Sequence, residues 1–319
     1  MKIYPFDPKY LPQAAELFVQ NLAVQRGAAP SLSDRLEHPH RAATKLAQLF
    51  QRSPGVMAVE DDGRLAGYMG WFIVDHFRGT HRRAAYVPEW GHAALAGRRP
   101  DIYRALYRTA AEQWRAAGCD VHAITLLAHD QAAQQVWFWN GFGLLVVDAV
   151  RPMQPLATPV HTDLAVRAAT LDDAAHLAAL DAEHCQHYAR SPIFMAPRAG
   201  DSADQFVPFL SRPKNSVWLA LDGEQPVGFL RFEGYDFDCA AIVQSDQTIR
   251  INGAFVRPAY RGRRAAAALL DAALRHYAGR GFTCCAVDFE SFNPEAAVFW
   301  MRYFEPVAFS LTRVPETCP

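Results

Sequence analysis

Landmarks in this chain recur in the same order at an interval of about 160 residues, which is the mark of a duplicated unit. An apolar stretch, an acidic-glycine turn and a second apolar stretch span residues 56–68 and return over 217–229, each reading as a β-hairpin. Gly67 answers to Gly228, Gly118 to Gly281, and Phe142 to Phe304. At 319 residues the chain is long for one domain of roughly 100–200 residues, so two units of similar plan are expected. Each opens with a short strand and a helix. In the first, Asp7-Pro8 precedes a helix bearing Leu11, Ala14, Ala15, Phe18 and Leu22; in the second, Thr170 caps a helix with Asp172 and Asp173 in its first turn. Pro152, Pro155 and Pro159 punctuate a patternless stretch that suits a linker. The expected division is a first domain over 1–152, a linker over 153–162 and a second domain over 163–319.

Composition excludes several classes. The chain is 50% hydrophobic and 20% charged with a net charge of −1, an ordinary globular balance, so no nucleic-acid or membrane partner is expected. No apolar run approaches the roughly 18 residues that span a bilayer, and residues 1–7 lack the apolar core of a signal peptide. The six cysteines (Cys119, Cys185, Cys239, Cys284, Cys285, Cys318) show no C-x-x-C spacing, which points to reduced thiols, a cytoplasmic protein and no metal site. His184 and His187 share a helix face at i, i+3 spacing but have no evident third ligand. Trp137, Phe138 and Trp139 read as core and interdomain packing.

The stretch from Thr248 to Leu270 carries the chemistry. An extended segment to Val256 leads into Arg257-Pro258-Ala259-Tyr260, then Arg261-Gly262-Arg263-Arg264-Ala265-Ala266 and a helix-like run. A strand, a tight basic loop and a small-residue helix start together shape a backbone to hold a pyrophosphate. Amides point out of the turn, the helix terminus adds partial positive charge, and small residues permit close approach. Arginines add charge-assisted bonds. Downstream, 283–289 reads as a short strand, and Asn293 precedes Pro294, Ala296, Phe299, Trp300, Tyr303 and Phe304.

The two segments together resemble the signatures of the GNAT superfamily of N-acetyltransferases: an acyl-CoA loop of the form Arg/Gln-x-x-Gly-x-Gly/Ala, then an Asn, an Ala and an aromatic pair. Arg261 and Ala266 fit the loop, while Arg264 replaces its middle glycine; Tyr303 stands where Gly is usual and Trp300 where Tyr is frequent. The resemblance implies an α/β (α+β type) chain of two GNAT-like domains, each a mixed, partly antiparallel twisted sheet flanked by helices. It implies acetyl-CoA as co-substrate and a primary amine of a small molecule as acceptor. Cofactor contacts would come from Phe255, Val256, Arg261, Gly262, Arg263, Arg264, Ala265, Ala266, Asn293, Phe299 and Trp300. The strand ending at Val256 and the strand from Cys284 would splay apart to admit pantetheine, with amides near Phe255 and Val256 polarising the thioester. Asn293 would cap its helix, bond the cofactor arm, or do both.

An ammonium acceptor must lose a proton, and Glu233 and Glu290 are the candidate bases, with Asp288 behind them. Trp300 cannot protonate the leaving thiolate as a tyrosine would. The first unit lacks the loop: after Val87-Pro88 it runs Glu89-Trp90-Gly91-His92 to Pro100, and reads as a degenerate copy. The rival reading is a non-catalytic acyl-CoA-binding or scaffolding protein. A Rossmann-type nucleotide binder lacks its Gly-x-Gly-x-x-Gly.

Overall fold

The computed structural model describes residues 1–234 and 239–316, so Cys318 lies outside the described residues. The first half comprises β1 (Lys2–Pro5), α1 (Leu11–Ala28), α2 (Pro39–Arg52), β2 (Gly55–Val59), β3 (Leu65–Gly70), β4 (Phe72–Val74), β5 (Ala84–Val87), β6 (His92–Ala94), α3 (Arg99–Ala116), β7 (Val121–Leu127), α4 (Gln131–Trp139) and β8 (Gly143–Pro152). The second comprises β9 (Ala165–Ala168), α5 (Ala174–Tyr188), α6 (Ala203–Leu210), β10 (Ser216–Asp222), β11 (Gln225–Gly234), β12 (Thr248–Val256), α7 (Ala265–Ala278), β13 (Cys284–Glu290), α8 (Pro294–Tyr303) and β14 (Glu305–Arg313). Local chemistry sets the helix starts. Thr170 and Asp173 form a reciprocal capping box, and Asn293 Oδ1 accepts the Ala296 amide at 3.2 Å ahead of Pro294 at the first helical position.

Four strands form a small sheet in the order β1-β2-β3-β6, and ten form a continuous sheet in the order β4-β5-β7-β14-β8-β13-β12-β11-β10-β9. The small sheet is antiparallel throughout, while the large one mixes antiparallel and parallel pairs, with β5 parallel to β7 and β12 parallel to β13. At the centre the halves exchange their last strands. β14 pairs with β7 of the first half, β8 pairs with β13 of the second, and β8 and β14 pair with each other. Val307, Ala308, Ala149 and Val150 are fully buried there.

Helices α3 and α4 cover one face of the first half around Trp71, Trp114 and Trp137, while α7 and α8 cover the second half around Leu270, Tyr277 and Trp300. The opposite face packs against α5 and α6, and nearer the centre against α1, α2 and the segment Ala240–Val243. Of the three aromatics read as packing, Trp137 alone is core; Phe138 and Trp139 are exposed. The linker is anchored rather than loose. Met153 and Leu156 are buried in the second half's core, and the Leu156 amide donates to Asp271 Oδ1 at 2.7 Å. Among the described residues no helix is long and apolar enough to cross a membrane.

Candidate active site

Strands β12 and β13 pair only over Thr248↔Cys284 to Ile251↔Val287, after which they part. Asn252 sits at the vertex as the extra residue of a β-bulge against β11, where Ile251 faces Phe232 and Gly253 faces Arg231. Beyond it, among the described residues, β12 keeps β11 on one side and has no strand on the other. The Arg257 amide donates to Val227 O at 2.9 Å, so alternation turns the Ala254 and Val256 amides the other way, into the opening. The Phe255 amide by the same alternation points at β11. Val256 suits the thioester-polarising role; Phe255 contributes its ring to the α5/α6 core.

The opening continues into a cleft of about 840 Å³ that runs under the N-terminus of α7. Phe255, Val256, Arg261, Gly262, Arg264, Ala265 and Ala266 line it from the β12–α7 side. Asn293, Phe299 and Trp300 line it from α8, and Leu156 to Val160 of the linker close a further wall. The loop turns through two left-handed residues, Gly262 (φ 82°) and Arg264 (φ 62°). That conformation costs an L-residue about 1–2 kcal/mol, which explains why a glycine would suit the position Arg264 holds. The turn delivers the first-turn amides of α7, which have no intrahelical acceptor, to the cleft floor.

Arg263 is the one predicted contact turned elsewhere. Its guanidinium pairs with Asp163 and stacks over Tyr260 at 5.1 Å. Arg261 donates to Val256 O at 3.1 Å and pairs with Glu295 at 2.5 Å, so its charge is partly met already. Replacing Arg261 and Arg264 together with Ala is expected to weaken acetyl-CoA binding about tenfold or more by calorimetry.

A cluster of acids occupies the sheet face opposite α7. Asp288 lies directly across from Asp148 in the β13–β8 register, and Arg250 of β12 pairs with Asp288 at 2.8 Å. Asp148 is 7% exposed; burial and then the Asp288 charge push its carboxyl well above the ordinary range. Such a group is protonated in the native state at pH values where the unfolded chain would be ionised. Its native form is therefore unpenalised below about pH 4, and stability is lost as pH rises from there through the raised native pKa. Asp148→Asn removes this penalty. Thermal melts are expected to show it several degrees more stable than the parent near about pH 8.5 and little changed near about pH 4.5.

Glu290 ends β13 on that same face and is 9% exposed. Burial raises its pKa, the neighbouring Arg78 opposes the rise, and Asp288 adds to it. Arg78 meets Oε1 at 2.6 Å, while Oε2 is enclosed with no partner. Glu233, the other candidate base, is engaged on both sides: the Asn252 amide donates to one oxygen and Arg212 stands 3.7 Å from the other.

Tyr188, on α5, joins the cleft to these carboxylates and is not a residue the sequence singled out for chemistry. Its hydroxyl hydrogen-bonds the Asn293 side chain and lies near Glu290 and Asp288; burial, then their negative charges, push it up to about 12. Asn293 Oδ1 accepts from Ala296, so the Asn293 NH₂ is the group left to face the Tyr188 hydroxyl. His187 lines the cleft 3.6 Å from Glu295, whereas His184 is buried beside Asp181, so the pair does not share a ligand. Among the described residues no group of three or more His, Cys, Asp or Glu side chains is placed to hold a metal ion.

In the first half the corresponding strands also part, where the β5–β7 pairing ends at Val87↔Ile124. Beyond the β5–β7 pairing the gap is bridged by His92, whose Nε2 meets Thr125 O at 2.9 Å and whose Nδ1 meets the Tyr103 hydroxyl at 3.0 Å. Burial lowers His92 to about 4, so the ring is neutral and donates from Nε2. Glu89 faces the second half instead, accepting the Ile242 amide at 3.1 Å.

Residues 182–304 match the acetyltransferase (GNAT) family. The match holds β12, the loop, α7, β13 and α8, the elements that build the cleft. A GCN5-related N-acetyltransferase from Sphaerobacter thermophilus is similar in structure with a TM-score of 0.59 at 14% identity, over 99% of this chain and 96% of that one. A GCN5-related glucosamine N-acetyltransferase region of a fungal multi-domain GH3 β-N-acetylglucosaminidase is similar with a TM-score of 0.55 at 12% identity, over 98% of this chain and 38% of that one. At such identities the likeness establishes the fold. No curated protein matches the sequence.

Proposed function

We propose that the chain is an acetyl-CoA-dependent N-acetyltransferase whose single active site lies in the second half, and whose acceptor is a primary amine on a small molecule. The observation that carries this reading is the continuity of the β12–β13 opening with the α7 N-terminus in one cleft. A helix terminus with a left-handed basic loop favours a diphosphate, and an open strand edge favours an extended amide-bearing arm. The amides of Ala254 and Val256 bond that arm, and the Val256 amide stabilises charge developing on the thioester oxygen. The cleft bearing the His92 bridge, in the first half, takes no cofactor.

Glu290 Oε2 takes a proton from the acceptor ammonium, directly or through one water. The freed nitrogen forms its bond to the acetyl carbon as the carbon–sulfur bond breaks. The second proton lost by that nitrogen passes to the departing thiolate or to solvent. Tyr188 holds its own proton too tightly to give it away, so it steadies the thiolate by donating a hydrogen bond. Trp300, buried against Phe304, has no hydroxyl to offer in that place. The test is amine-dependent thiol release from acetyl-CoA over a panel of small primary amines, with the acetylated product identified by mass spectrometry. Thiol release with a matching N-acetyl product supports the reading; tight acetyl-CoA binding without transfer to any amine would favour a non-catalytic binder.

A further inference from the structure

The first half, closed to a cofactor of its own, reaches into the second half's site. Between β4 and β5 the chain turns through residues 75–83, held by Phe77 N to Arg82 O and Gly79 N to His76 O, each 2.9 Å. Within that turn His76 and Arg78 both adopt φ 54°, a left-handed region that residues with a Cβ avoid. Strain of this kind persists where the surroundings over-determine it, and it clusters at functional sites. The Arg78 guanidinium lands on Glu290 Oε1 at 2.6 Å with Met195 Sδ 3.9 Å away. Met195 itself follows Phe194, whose φ is 50°. Two strained turns, one from each half, thus meet at the guanidinium that holds Glu290.

Arginine commonly takes both oxygens of a carboxylate. Here it takes Oε1, while Oε2 is buried and unpartnered. We propose that Arg78, carried by the first half, is a positioning residue for the second half's chemistry: it holds one Glu290 oxygen and leaves the other free to take the proton of an acceptor amine. This rests on the reading of Glu290 as the base. The groups facing Glu290 are Arg78, Asp288 on its own strand and Tyr188 of α5; Arg250 of β12 and Asp148 of β8 stand against Asp288, with Glu89 beyond Asp148. Burial, and after it the Asp288 charge, favour the protonated carboxyl, and Arg78 is the cation in contact that opposes them. Removing its charge therefore moves the titration of Glu290 upward, and the base becomes available only at higher pH.

The experiment is the pH profile of kcat/KM for the parent, Arg78→Gln and Arg78→Lys, with acetyl-CoA affinity measured alongside. Arg78→Gln should move the acidic limb up by about one pH unit and lower the rate at neutral pH about tenfold, with cofactor affinity unchanged. Arg78→Lys, keeping the charge, should return the limb most of the way. Glu290→Gln should make Arg78→Gln silent, so that the double variant is no slower than Glu290→Gln alone. An unmoved limb in an Arg78→Gln variant that still binds cofactor would overturn this inference while leaving the parent reading intact. Equal losses in the Gln and Lys variants without a moved limb, or a further loss in the double variant, would overturn it as well. A parent protein that binds acetyl-CoA but acetylates no amine would remove the base reading and this inference together.

Discussion

Glu290→Gln is expected to lower kcat/KM for acetyl transfer by about 10²–10⁴-fold, the range over which a positioned general base contributes. Gln keeps the shape of the side chain and an oxygen that can still accept from Arg78, so the pair's geometry is retained while its proton acceptor is lost. The cofactor cleft is left as it was, because Glu290 sits on the sheet face opposite α7 and does not line that cleft. Acetyl-CoA affinity should accordingly change by no more than about twofold. Neighbouring acids are poorly placed to substitute. Asp288 is paired with Arg250, Asp148 is buried under the Ala240–Val243 segment, and Glu233 is held between Asn252 and Arg212. A rate within a few-fold of the parent would transfer the base role away from Glu290.

Truncation after Phe304 is expected to abolish folding of both halves, although the deleted residues belong to the second in sequence. Residues 305–313 form β14, which lies between β7 and β8 and hydrogen-bonds to both. Its loss strips β14 from one whole edge of β7, a strand buried along its whole length that keeps only the short β5 on its other side. It also removes Val307, Ala308 and Leu311 from the two cores they help to fill. Losing a large aliphatic side chain from a core costs about 2–5 kcal/mol, so these losses together with the broken strand pairing reach the roughly 5–15 kcal/mol that holds an ordinary protein folded. Circular dichroism and hydrogen exchange on the truncated chain read the outcome directly. A first half that stayed folded and protected would show the halves to be independent, contrary to the exchanged strands.

The parts of this structure legible in the sequence are those set by local rules. The Arg261–Ala266 loop announced itself because a strand, a positive-φ glycine and an Ala-rich helix follow one another along the chain. Asn293 was legible as a cap for the same reason, and the repeated hairpins marked the two halves. The exchange of β8 with β14 was not legible: both are apolar strands following the same kind of helix, and nothing local says which neighbour each will choose. Arg78 was invisible because its partner is 212 residues away and its direction depends on its own left-handed backbone and that of His76, which residues with a Cβ rarely adopt. Asn252 was within reach, since an Asn-Gly inside a strand pattern is a bulge signal. The prolines marked 153–162 as a linker, but its anchoring was not legible, because Met153 and Leu156 are isolated apolar residues whose place in the second core depends on the tertiary fold.

The central claim is that one half of this chain binds acetyl-CoA and the other does not. Calorimetric titration of acetyl-CoA into the whole protein tests it most directly. One site per chain, weakened about tenfold or more when Arg261 and Arg264 are both replaced by Ala, is the predicted result. Two sites would mean that the gap bridged by His92 opens to a cofactor after all, and no binding would leave the cleft under α7 without the ligand it is built to hold.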